Sequence, residues 1–187
     1  MTDYFAILDQ PRRPWLDADA VKAAFHRASA VLHPDVPGSG DAAQFAELNA
    51  AHSVLREPAS RLRHLLELTA PDTLAAAAAP PGEFGDLFMQ IAGVRQRLDG
   101  FLKRRQTATS ALARALLTGE EAGLRQELEV VLGSLEGAES ALLEEVQELD
   151  RDWEEGASAE MLGSLYRRLS YLARWLAQTR EAAFGLG

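Results

Sequence analysis

The side chains able to do chemistry in this chain are its four histidines, His26, His33, His52 and His64, and its 28 carboxylates. Their spacing does not assemble a catalyst. There is no HExxH, no pair of histidines one helical turn apart with an acid beside it, no GxSxG and no glycine-rich phosphate loop. Cysteine is absent, which removes thiolate nucleophiles, disulfides and cysteine-held metal centres together. His33 and Asp35 could offer two ligands within one turn, but without a third they make a poor metal site. No catalytic residue, metal or cofactor is therefore expected. His33-Pro34-Asp35 remains the most distinctive group: an imidazole and a carboxylate held on either side of a rigid imino acid. Alone the tripeptide is a weak signal that chance can supply, and an ordinary helix-terminating turn is its competing reading.

Helices must position this loop. Asp17 or Asp19 can cap a helix whose apolar stripe is Val21, Ala24, Phe25, Ala28, Val31 and Leu32. Its polar stripe runs through Lys22, His26, Ser29 and His33, with Arg27 beside it. Pro34 lacks a backbone donor and disfavours helix at His33, so the helix stops there. Val36 to Gly40 reads as a loop. Asp41 opens a second helix with Phe45, Leu48, Ala51, Val54 and Leu55 on one face; Glu57-Pro58 ends it, and Ala59 to Leu68 forms a short third helix.

Thr69 to Phe84, with Pro71, an alanine run and Pro80-Pro81-Gly82, reads as a linker. Beyond it three helical stretches are expected. The first carries Leu87, Ile91, Val94, Leu98, Leu102, Leu112 and Leu116. The second runs from Leu124 to Leu149, and the third shows Leu162, Leu165, Leu169, Leu172 and Leu176. Breaks are expected at Thr118-Gly119-Glu120 and at Glu155 to Ser158. The fold class read from this is all-α, ending in an antiparallel three-helix bundle. Residues 1–69, 70–84 and 85–187 are assigned to an N-terminal domain, a linker and a C-terminal bundle.

The net charge of −9 argues against a nucleic-acid partner. Residues 119–160 hold 14 acidic and 2 basic side chains, between two mildly basic stretches; this reads as a solvated helix face that modestly favours association of the three helices. No apolar run approaches the roughly 20 residues that span a bilayer, so no membrane partner is expected. The opening MTDYFAILDQPRR lacks the order of a signal peptide, and the cytoplasm is the expected location.

DYFAIL, VKAAFHRASAVLHPD and AAQFAELNAAHSVLREPASRLRHLLEL together resemble a J-domain over residues 3 to 68. Phe45, Asn49, Ala51, Val54, Leu55, Pro58 and Arg61 stand at matching positions. Phe25 and His52 each replace a usual tyrosine, and Val36 replaces a basic residue. The resemblance implies a helical hairpin with flanking helices that binds a DnaK- or HscA-type chaperone ATPase. Asp35 would meet a cation on the chaperone, His33 and Pro34 would hold the loop's shape, and Lys22, His26 and Arg27 would face an acidic groove.

RLRHLLEL, LFMQIAGVRQRLD and LYRRLSYLARWL extend the resemblance to HscB-type co-chaperones of iron–sulfur cluster assembly, whose C-terminal bundle binds the cluster scaffold protein through an acid-edged apolar patch. The positions carried over are Phe88, Met89, Ala92, Gln96 and Tyr171. Ala92 is smaller than the family's usual leucine, and Gly93 and Gln96 stand at acidic positions. Core packing is the competing reading of Phe88 and Met89, and packing is the reading of Trp153 and Trp175. Two other functions fit the residues: a J-protein with a different client, and a helical adaptor dimerising through the Leu162 to Leu176 run.

Overall fold

The computed structural model describes residues 2–32, 42–75, 82–153 and 158–186. Among these the elements are helices and no strand: α1 (Tyr4–Ile7), α2 (Ala18–Leu32), α3 (Ala42–Arg56), α4 (Pro58–Thr69), α5 (Pro71–Ala75), a 3-10 turn (Gly82–Phe84), α6 (Gly85–Thr107), α7 (Ala111–Arg151) and α8 (Ala159–Phe184). The chain is all-α. No helix among the described residues is long and apolar enough to cross a membrane.

Helix starts follow local chemistry. Asp3 Oδ1 accepts from the N–H groups of Phe5 and Ala6 to cap α1, and Asp17 Oδ1 accepts from Ala20 to cap α2. Pro58 opens α4 at a position where its missing N–H costs nothing. The junction between α6 and α7 lies earlier in the chain than the sequence suggests: it is at Ala108 to Ser110, not Thr118 to Glu120. Thr107 Oγ1 turns back onto the carbonyls of Lys103 and Arg104, and Ser110 Oγ accepts from Ala113 N–H to restart the helix. Thr118, by contrast, bonds the Arg114 carbonyl from within α7. A hydroxyl cap thus outweighs a glycine as the punctuation. Leu112 and Leu116 consequently belong to α7 and are exposed.

The chain divides into two compact units, one formed by Met1–Ala79 with Leu142–Ser170, the other by Pro80–Ala141 with Tyr171–Gly187. In the first, α2 packs on α3, and α3 also carries α1 and α4. Phe5, Leu8, Leu48, Leu55, Leu62, Leu65 and Leu66 are fully buried there, as are Leu142, Val146, Leu162, Leu165 and Leu169 from α7 and α8. Val31 does not join the α2 stripe; it is exposed.

Two polar clasps hold this unit. Asp150, near the end of α7, takes the Arg13 guanidinium at 3.0 Å and the Trp15 N–H at 3.2 Å, while Trp153 Nε1 donates to the Arg12 carbonyl at 3.0 Å. Arg61 is 3% exposed and donates to the carbonyls of Pro14 at 2.9 Å and Leu55 at 2.8 Å, with its guanidinium over the Trp15 ring. Burial pushes this group down to about 10 against the pull of Asp150 and Glu57, and it stays charged at neutral pH.

In the second unit Arg97–Glu127 and Arg104–Glu120 pair α6 with α7 in opposite chain directions. Arg180–Glu136 and the Arg125 bond to the Leu186 carbonyl do the same for α8 and α7. Arg95–Gln178 and Arg105–Gly185 run in one direction, so α6 and α8 are parallel to each other. The acidic stretch is therefore distributed toward arginines on both flanking helices. Leu172 and Leu176 are buried in this unit, and Leu162, Leu165 and Leu169 in the other, so that leucine run offers no free seam for dimerisation.

Candidate functional site: an exposed basic helix face and an aromatic patch

Two surfaces collect the residues singled out by sequence. The first is the outer face of α2. Lys22, His26 and Arg27 are all exposed there, while Val21 and Ala24 on the opposite side are buried. Successive residues turn by about 100°, so a helix packed along one stripe leaves its other side in solvent. Ser29, expected on the polar stripe, is only half-exposed and its hydroxyl is buried without a hydrogen bond. His33, Pro34 and Asp35 lie outside the described residues.

The two replaced tyrosines meet. The Phe25 ring of α2 and the His52 ring of α3 stack with centroids 4.1 Å apart and planes inclined by 17°. His26 extends the group, its ring 5.8 Å from Phe25. Partial burial, together with the charges of Arg56 and His26, holds the His52 imidazole below its ordinary range. His64, on α4, is a structural residue: it is buried and its Nε2 accepts from the Tyr4 N–H at 3.1 Å, which places the ring nitrogen in its acceptor form. None of the described histidines joins a group of three possible metal ligands.

The second surface lies on α6 and α8 within one unit. Phe88 is 52% exposed and Met89 68% exposed, so neither is core. Ala92 and Gln96 are exposed on the same helix, and Tyr171 is half-buried. The structure adds Trp175, which is buried and whose ring lies 6.2 Å from Phe88, 5.9 Å from Tyr171 and 6.2 Å from Phe84. Arg174 sits over Tyr171. Trp175 is therefore the floor on which the exposed aromatics rest. Its spacing one turn from Tyr171 was the available signal.

No protein-family model matches the chain. It is 36% identical over 78 residues to the co-chaperone protein HscB homologue of Chromobacterium violaceum, covering 38% of this chain and 45% of that protein. The chain thus spans less than half the length of this relative. With the HscB homologue of Bordetella avium it shares 30% identity over 129 residues, which cover 64% of this chain and 74% of the relative. The chain belongs to the HscB co-chaperone family. Its fold agrees: the chaperone HscB from Vibrio cholerae superposes over the full length of both chains with a TM-score of 0.62 at 16% identity. In the α6–α8 patch Gly93 and Gln96 supply no carboxylate, and Arg174 brings a cation over Tyr171.

Proposed function

We propose that this protein is a J-domain co-chaperone that binds a DnaK- or HscA-type chaperone, stimulates its ATPase and presents an iron–sulfur scaffold protein to it. The observation that carries the reading is the exposed cationic face of α2, which runs directly into His33-Pro34-Asp35 in the sequence. Lys22, His26 and Arg27 would steer the helix toward an acidic surface and set its orientation. Asp35 would then engage a chaperone cation, and Pro34 would limit the loop's conformations. Hydrolysis stays with the partner; this chain acts by favouring one of the partner's conformations.

Phe88, Met89, Ala92, Gln96 and Tyr171 form the proposed client surface, with Trp175 beneath them. In this reading the chain divides at the proline-rich stretch into a J-domain, 1–69, and a client-binding bundle, 85–187, joined by residues 70–84, and it works in the cytoplasm.

Single-turnover ATP hydrolysis by the chaperone tests this. Wild type should accelerate hydrolysis, His33→Gln should lose the acceleration, and scaffold protein should enhance it only while Phe88 and Met89 are intact. Acceleration that ignores the scaffold would keep the J-domain function and discard the client. Absence of any acceleration would reject the proposal.

A further inference from the structure

α7 is 41 residues long, and only one side of it is covered. Its buried positions are Leu124, Leu128, Val131 and Leu135 in this unit. The opposite side steps through Leu112, Leu116, Gly119, Gly123, Gln126, Val130, Gly133 and Gly137, by alternate fours and threes, and every one is exposed. None is charged, although the chain is 25% charged overall. Three are large apolar groups standing in solvent: Leu112 at 72%, Leu116 at 70% and Val130 at 62%. Four are glycines with open space where a Cβ would stand, so packing within the chain does not call for them. Each weakens a helix interior by about 1 kcal/mol relative to alanine.

From this pattern we propose that the outer face of α7 is a self-association seam, occupied by α7 of a second copy running antiparallel. The proposal stands apart from the co-chaperone reading. The fours and threes are the repeat of a coiled-coil seam, sustained here for more than three heptads. In an antiparallel pair related by a two-fold axis, contacts are reciprocal. One register then sets Leu112 against Gly137, Leu116 against Gly133, Val130 against Gly119 and Gln126 against Gly123. Every large side chain meets a glycine, and the face is its own complement when reversed. A parallel pair would instead stack leucine on leucine and glycine on glycine, which leaves voids along the seam.

Two further observations favour a second copy. A hollow of about 590 Å³ lies beside the middle of the seam, between α6 and α7, lined by Gly123, Gln126 and Val130 together with Gln90, Val94 and Arg97 of α6. It can receive the partner's side chains at the register just given. Three of the four carboxylates that flank the seam are also already neutralised within the chain: Arg104 holds Glu120, Arg97 holds Glu127 and Arg180 holds Glu136, which leaves Glu129. Like-charge repulsion between two α7 edges is thereby reduced.

Sedimentation equilibrium of the full chain, from micromolar to millimolar concentration, tests the seam. Wild type should show a monomer–dimer equilibrium. Val130→Glu, which would bury an unpaired charge, should weaken it about tenfold or more. Gly133→Leu, which fills the hole opposite Leu116 without adding charge, should do likewise. Both positions are exposed in the single chain, so the circular-dichroism melt at low concentration should not fall. The orientation can be read from cross-linking, because the native chain has no cysteine. A mixture of Leu112→Cys and Gly137→Cys chains should oxidise to a mixed dimer, and neither alone should do so. A wild type that stays monomeric throughout, or a Val130→Glu chain that dimerises as wild type does, overturns the proposal. Self-cross-linking of Leu112→Cys alone overturns the antiparallel arrangement.

Discussion

His52 takes its surroundings from a neighbour on the adjacent helix. Phe25 and His52 each stand where a tyrosine is usual, and their rings stack across α2 and α3. The stack favours the neutral imidazole, because burial and the nearby Arg56 and His26 hold its pKa below the ordinary 6.5. A lowered folded-state value means that the unfolded chain takes up the proton first as pH falls. The contribution of His52 to stability is therefore complete above pH 6.5 and is lost as pH drops through its folded-state value. Thermal melts of wild type and His52→Tyr across that range should diverge, with wild type losing more on acidification. Parallel curves would show that the imidazole is not the titrating group. Arg61 was legible only as a position matching the J-domain pattern. Its hydrogen bonds to Pro14 and Leu55 come from residues 47 and 6 positions away, a separation that no local spacing encodes.

Element boundaries were most readable where one residue type decides them. Asp17 caps α2 and Pro58 opens α4, as side-chain chemistry requires. The α6–α7 junction was missed because glycine at 119 suggested a break, whereas the hydroxyls of Thr107 and Ser110 make the turn. A helix supported on one face by Leu124, Leu128, Val131 and Leu135 tolerates glycines on the other. Gly163 is a different case. A Cβ there would stand 2.6 Å from Thr73 Cγ2, so any side chain at this position would have to displace that methyl of α5. Gly163→Ala should destabilise the protein by about 1–3 kcal/mol in urea unfolding. Adding Thr73→Ser, which removes the offending methyl, should recover most of the loss; equal losses in the single and double variants would place the strain elsewhere.

At the scale of the molecule, the grouping of Leu142–Ser170 with the N-terminal helices depends on contacts across more than 130 residues of sequence. Asp150 gathers Arg13 and the Trp15 N–H there, and its side chain is mostly buried. Asp150→Ala should cost about 1.5–3 kcal/mol, the range for hydrogen bonds to a charged group. Hydrogen exchange should show the Trp15 amide losing protection before the amides of α3 do. Asp150→Asn, which keeps an acceptor for that amide, should retain more of the protection. Unchanged exchange at Trp15 in Asp150→Ala would remove the clasp from the account.

The sequence by itself determined the all-helical class, the buried stripes of most helices, the cationic face of α2 and the family resemblance, because periodicity, caps and short motifs are local properties. It could not decide whether Phe88 and Met89 were core or surface, since an apolar residue at helical spacing satisfies both. Only the tertiary structure placed them in solvent over Trp175, joined Phe25 to His52, buried both halves of the α8 leucine run and left the glycine face of α7 bare. Those outcomes depend on which helix lies against which, and that is settled by packing over the whole chain.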